Sequence, residues 1–205
     1  MSNLGILKSR IANELARGDL ASEIAYAVDD AVKLYQARRF KFNQARATFS
    51  TVIGQEFYGT TDGLPADIAS IESLTLLVNG RKTVLEEWAS DVIEHVSTTT
   101  NTESQSFAWA WFANQVRFYP IPDQVYPVTL SYTRRIDAPT ADGDSNAWTG
   151  EAANLIRYAA KRMLAADVIK DDREAAVAAQ SEAMELARLK RESQQLTTGG
   201  LRANW

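Results

Sequence analysis

The stretch "VRFYPIPDQVYPVTLSYTRR" (Val116–Arg135) reads as two well-formed strands held apart by a loop with prolines at 120, 122 and 127. Proline fixes its own backbone angle and restrains the residue before it, so this loop is stiff before anything touches it. All five prolines of the 205-residue chain fall between Pro65 and Pro139. Outward from the loop, strand and turn signals fill residues 46–139, which we take as an inserted β region. Within it "LTLLVNGRKTVL" (Leu74–Leu85) alternates Leu74, Leu76 and Val78 before Asn79-Gly80, the pair best suited to a two-residue hairpin turn. A second hairpin is predicted in "SFAWAWFANQVRFYP", with Phe107, Trp109 and Trp111 on one face and a turn near Asn114. Between the hairpins, Trp88, Val92 and Val96 recur at helical spacing, predicting one short helix over a sheet face.

The flanks follow a different period. In residues 1–45, Leu4, Leu7, Ile11 and Leu15, then Leu20, Ile24, Val28, Val32 and Tyr35, recur at three- and four-residue steps. The pattern breaks at Gly18-Asp19, where glycine suits the end of one helix and aspartate the cap of the next. In residues 140–196, Ile156, Ala159, Ala160, Met163 and Leu164 form one stripe of a helix expected from Thr149, and Asp171 with Glu174 has capping-box spacing for a last helix reaching about Gln195. The expected fold is therefore α+β: a helical bundle of two N-terminal and two C-terminal helices, an inserted β region, and a flexible C-terminal tail at 197–205.

Composition narrows the function classes. A hydrophobic content of 45% supports a packed core, and a formal charge of −4 argues against a dedicated nucleic-acid binder, which carries a basic face. No apolar run approaches the roughly 20 residues that cross a bilayer, and the first residues alternate apolar with charged, so no membrane association and folding in the cytoplasm are expected. With zero cysteines there are no disulfides, thiolate nucleophiles or thiolate metal sites.

Catalytic patterns are weak throughout. The single histidine, His95, follows Glu87 and Asp91 at four-residue steps, a spacing that could hold a metal or serve acid-base work but is what a solvated helix face ordinarily looks like, and the pattern lacks paired histidines. "DGDSN" (Asp142–Asn146) opens like a calcium loop, yet Ala147 and Ala153 stand where such a loop needs glycine and glutamate. There is no nucleophile elbow and no phosphate-cradling glycine loop. The cations Lys33, Arg38, Arg39, Lys41 and Arg46 suit a helix C-terminus as well as they suit phosphate. No catalytic residue, metal site or cofactor is expected.

Two stretches point to contacts instead. The last helix carries Ala175, Ala176, Ala178, Ala179, Ala183 and Ala187 and few large apolar anchors, so it packs closely either within the chain or against a neighbour. The closing "TTGGLRANW" has no period, yet Leu201 and Trp205 are costly to leave in water.

The order of these blocks resembles the head-to-tail adaptor proteins of short-tailed bacteriophages. The strings that carry the likeness are "LKSRIANELARGDLASEIAYAVDDAVKLYQARRFKFNQ", "TFSTVIGQEFYG", "QVRFYPIPDQVYPVTLSYTRR" and "DSNAWTGEAANLIRYAAKRML", and in their order and spacing the likeness covers nearly the whole chain. The resemblance implies a structural virion protein of the neck: a dodecameric ring assembled in the host cytoplasm, attached to the portal protein after packaging, with double-stranded DNA passing through unbound and tail or nozzle proteins attached beneath. On that footing the tail residues Thr197, Thr198, Gly199, Gly200, Leu201, Arg202 and Trp205 are expected to bind portal. Ala175, Ala179, Ala183, Met184 and Ala187 are expected at the subunit interface. Tyr119, Pro120, Ile121, Pro122, Val125, Tyr126 and Pro127 either contact the tail or a neighbour, or simply link two strands of one sheet. The alternative function is a cell-wall hydrolase associated with the phage tail; no residue here matches a recognisable catalytic pair for it.

Overall fold

The structure, a computed structural model, describes residues 2–97 and 103–198. The chain is α+β and divides into two compact units, Met1–Asn43 with Arg135–Trp205, and Gln44–Arg134.

The first unit is helical. Helix α1 (Leu4–Leu15) starts at Asn3, whose Oδ1 accepts from the Ile6 amide at 2.9 Å, and ends at Ala16 in the left-handed region, φ 51°. The expected punctuation at Gly18-Asp19 is thus displaced: Ala16, not Gly18, terminates the helix. Asp19 does not cap helix α2 (Ala21–Tyr35), which begins at Leu20 without a side-chain cap; its carboxylate accepts from Arg17 Nε and Nη2, each at 2.8 Å. Leu7, Ile11, Ile24, Val28 and Val32 are buried, as their spacing requires.

Their partners lie far along the chain. Trp148 is fully buried, its indole nitrogen donating to the Ile136 carbonyl at 2.8 Å and its ring meeting Phe40 and Phe42 edge-on. Helix α4 (Ala153–Met163; α3, Ser90–Val96, belongs to the second unit) starts four residues after the expected Thr149, because Asn146 and Thr149 tie the backbone before it into a turn. The small Ala159 and Ala160 are wholly buried where α4 packs against α2. The chain continues through a π-helical segment (Leu164–Ile169), turns at Lys170, φ 61°, and enters helix α5 (Asp172–Thr198). Asp171 Oδ1 accepts from the amides of Arg173 and Glu174 at 3.0 Å, but Glu174 pairs with Lys161 rather than returning to close a capping box. Helix α5 runs past Gln195, so Thr197 and Thr198 end a helix instead of opening a tail.

The second unit holds two four-stranded sheets. One, in the order β1-β8-β3-β4, contains β1 (Gln44–Ser50), β3 (Ile68–Val78), β4 (Arg81–Val84) and β8 (Pro127–Arg134), all antiparallel. The other, β2-β7-β6-β5, contains β2 (Phe57–Tyr58), β5 (Glu86–Glu87), β6 (Ala108–Phe112) and β7 (Gln115–Tyr119), with β5 parallel to β6. Side chains of both sheets meet in one core around Phe49, Tyr58, Leu74, Trp109, Phe118 and Leu130.

Both hairpins turn as their sequences specify, with Asn79 and Gly80 at φ 50° and 77°, and Ala113 and Asn114 at 50° and 61°. Helix α3 (Ser90–Val96) is shorter than the spacing of Trp88, Val92 and Val96 suggests. Its buried residue is Ile93; Val92 and Val96 are exposed, and Trp88 precedes the helix. Trp88 packs with Phe107 and Tyr119, so Phe107 joins that aromatic group while Trp109 enters the core.

Candidate docking surfaces

The proline loop joins β7 of one sheet to β8 of the other, not two strands of one sheet, and is stapled at both ends. The Thr51 amide donates to the Tyr126 carbonyl at 3.0 Å, while its hydroxyl accepts from the Tyr126 amide at 2.7 Å and donates to the Gln124 carbonyl at 2.8 Å. Gly54, at φ 74°, donates its amide to Pro122 at 3.0 Å, and Ser106 Oγ donates to Pro120 at 2.7 Å. Tyr126 is buried with its hydroxyl on Asp123. Pro122 is buried, Tyr119, Pro120 and Ile121 are half-buried, and Val125 and Pro127 are exposed. Of the expected contact residues, therefore, most hold the loop and Val125 is its prominent outward apolar group. The staple brings the turn after β1 alongside, where Val52 and Ile53 are 51% and 57% exposed beside Val125 at 61%. Val52 and Ile53 were not legible as surface residues, because their partner in the pairing lies more than seventy positions away.

Helix α5 is two-sided. Towards α4 it buries Ala178, Glu182 and Leu189. Glu182 accepts from Tyr35 Oη of α2 and from Arg162 Nε of α4, the latter at 2.5 Å, so one carboxylate ties three helices. Burial and the adjacent Glu182 carboxylate raise the Tyr35 pKa, keeping the hydroxyl protonated. Of the expected interface residues, Ala175 and Ala179 are half-buried at the flank; Ala183, Met184 and Ala187 are exposed, next to an exposed Val177. The alanine spacing alone did not separate the inner face from the outer. The polar Glu182, which marks the inner face, adds no apolar signal to the sequence pattern.

Gly199, Gly200, Leu201, Arg202 and Trp205 lie outside the described residues. Glu87, Asp91 and His95 do not form a helical face: Glu87 belongs to β5, and all three are exposed. Among the described residues no group of three or more His, Cys, Asp or Glu side chains is placed to hold a metal ion. In "DGDSN", Asp144 accepts from the Ala141 amide at 2.8 Å and Asp142 pairs with Lys8, which makes the segment a turn bound to α1.

The α+β chain leaves Val52, Ile53 and Val125 exposed in one unit and Val177 and Met184 exposed in the other. The family model described as SU10 adaptor protein matches residues 2–203, and the chain belongs to that family, that of a phage head-tail adaptor. Membership makes it a structural virion component associated with phage portal and tail parts. No curated protein matches the chain. Among the described residues, no helix is long and apolar enough to cross a membrane.

Proposed function

We propose that this chain is one subunit of a closed ring, dodecameric as the family resemblance implies, seated between portal and tail. The helices α1, α2, α4 and α5 act as the bundle that builds the ring body, and the β unit carries the surface toward the tail or a neighbour. Residues Thr197 to Trp205 bind the portal, with Leu201 and Trp205 as apolar anchors and Arg202 seeking a carboxylate. Double-stranded DNA passes through the channel without being gripped, in keeping with the net charge of −4. The ring assembles in the host cytoplasm and performs no hydrolysis.

The observation that carries this reading is the outward face of α5. A helix already anchored through Ala178, Glu182 and Leu189 nonetheless presents Val177, Ala183, Met184 and Ala187 to the outside. In a ring of heterologous contacts such a face is covered by the next subunit. Repetition also multiplies each modest tail contact, so attachment is firm although each copy buries little. The test is co-sedimentation with purified portal rings. The intact chain is expected to bind at a fixed ratio, and a chain lacking residues 197–205 to fold normally but bind far more weakly; equal binding by the two would remove the tail from the portal contact.

A further inference from the structure

In the helical unit, α2 and the π-helical segment leave an open cleft of about 250 Å³. Its floor is apolar, with Ala27 and Leu164 buried beneath Met163 and Val168. Three carboxylates line it, those of Glu23, Asp30 and Asp167, together with Tyr26, whose side chain is 71% exposed. Beyond the far end of α2 the balance is basic, with the exposed Glu192 there taken up by Arg188. Arg38, Lys41, Lys190 and Arg191 are all exposed there, and the Lys41 amide donates to Ser193 Oγ at 2.9 Å, which holds that corner against α5.

Resting on the ring reading above, we propose that the cleft receives the Lys190-Arg191 corner of a second copy. Charge complementarity identifies the occupant. Long cationic side chains lay their methylene stems on apolar surface and keep their heads on a polar rim, which is the arrangement this cleft offers. The face of Tyr26 adds a platform for a guanidinium. The cleft takes Glu23 to Asp30 of α2, and the corner lies past the end of that helix at Tyr35, so the two are separate fixed places on one helical unit. One subunit therefore does not bring its own corner to its own cleft; the contact is heterologous and repeats from copy to copy. Each nearby cation has its main partner outside the cleft, Lys33 on Asp29 and Arg162 on Glu182, while Lys33 also lies 3.8 Å from Asp30 and Arg162 feels the Asp167 charge.

The experiment is a charge swap read by electron microscopy on purified portal rings, with circular dichroism confirming folded protein. Asp30→Lys with Asp167→Lys is expected to lose the adaptor ring, as is Lys190→Glu with Arg191→Glu, and the four changes combined are expected to restore it. Should a reversed variant fold poorly, Asp30→Asn with Asp167→Asn is read instead by the salt concentration that dissolves half the rings, expected to fall. An unchanged salt midpoint would overturn the contact. Rings from both reversed variants would also overturn it while leaving the ring reading intact. Loss with the cleft variant alone, or no recovery in the combined variant, would overturn it in favour of another occupant such as a portal segment. If the unaltered protein forms no ring on portal, the ring reading itself fails and this contact falls with it.

Discussion

Ala16 occupies a backbone conformation that glycine adopts freely and that costs an L-residue about 1 kcal/mol or more. Gly18, two positions on, has no atom within 4 Å of where a Cβ would stand and does not hold a positive φ. Ala16→Gly is therefore expected to stabilise the protein by about 1 kcal/mol, raising the melting midpoint by about 2–4 °C for a chain of this size, while Gly18→Ala costs nothing measurable. A destabilised Ala16→Gly would show that the helix does not end there. A second residue-scale expectation concerns alkaline pH. Burial, reinforced by donation to Asp123, pushes the Tyr126 hydroxyl up to about 12, against an ordinary value of about 10. A group with a raised folded pKa stabilises fully below its unfolded value and loses that contribution as pH rises through the folded one. Tyr35, Tyr58 and Tyr132 are shifted the same way, chiefly by burial. Denaturant midpoints measured against pH should hold level up to about 10 and then fall. Tyr126→Phe should fall less steeply between about pH 10 and 12, and a parallel decline in both proteins would contradict the assignment.

Among the elements, α5 is where sequence and structure inform each other most. Its start was legible because Asp171 carries a cap chemistry that acts locally. Its outer face was not, since an alanine-rich helix has no amphipathic contrast to read and the decisive inward residue is a glutamate ion-paired with Arg162 and hydrogen-bonded by Tyr35 from other helices. The same distinction runs through the β unit. Asn79-Gly80 and Asn114 announce their turns locally, whereas the staple between Thr51 and Tyr126 is a long-range pairing that no local pattern encodes. Helix α3 shows the opposite failure, a helical period in Trp88, Val92 and Val96 whose first member packs on Phe107 and Tyr119 before the helix begins. At this scale the seam proposal is tested by Ala183→Glu with Met184→Lys. Both positions are exposed, so the melting midpoint should move little, within about 0.5 kcal/mol in stability, while ring formation on portal is lost. Normal rings from this variant would place the seam elsewhere.

At the scale of the whole molecule, the alternation of helical, β and helical blocks was legible because the period of the hydrophobic pattern changes at each boundary. Which sheet each strand joins was not, because β7 and β8 are neighbours in sequence and belong to different sheets. The chain belongs to the SU10 adaptor family over residues 2–203, and the exposed apolar groups of α5 and of the proline loop are the faces proposed for its contacts. The central claim is that these faces close a ring on the portal. Electron microscopy of purified portal rings mixed with excess protein tests it most directly. The account predicts a second ring of density, concentric with the portal and built of a fixed number of subunits joined side by side. Isolated subunits decorating the portal without touching one another, or no added density at all, would contradict it.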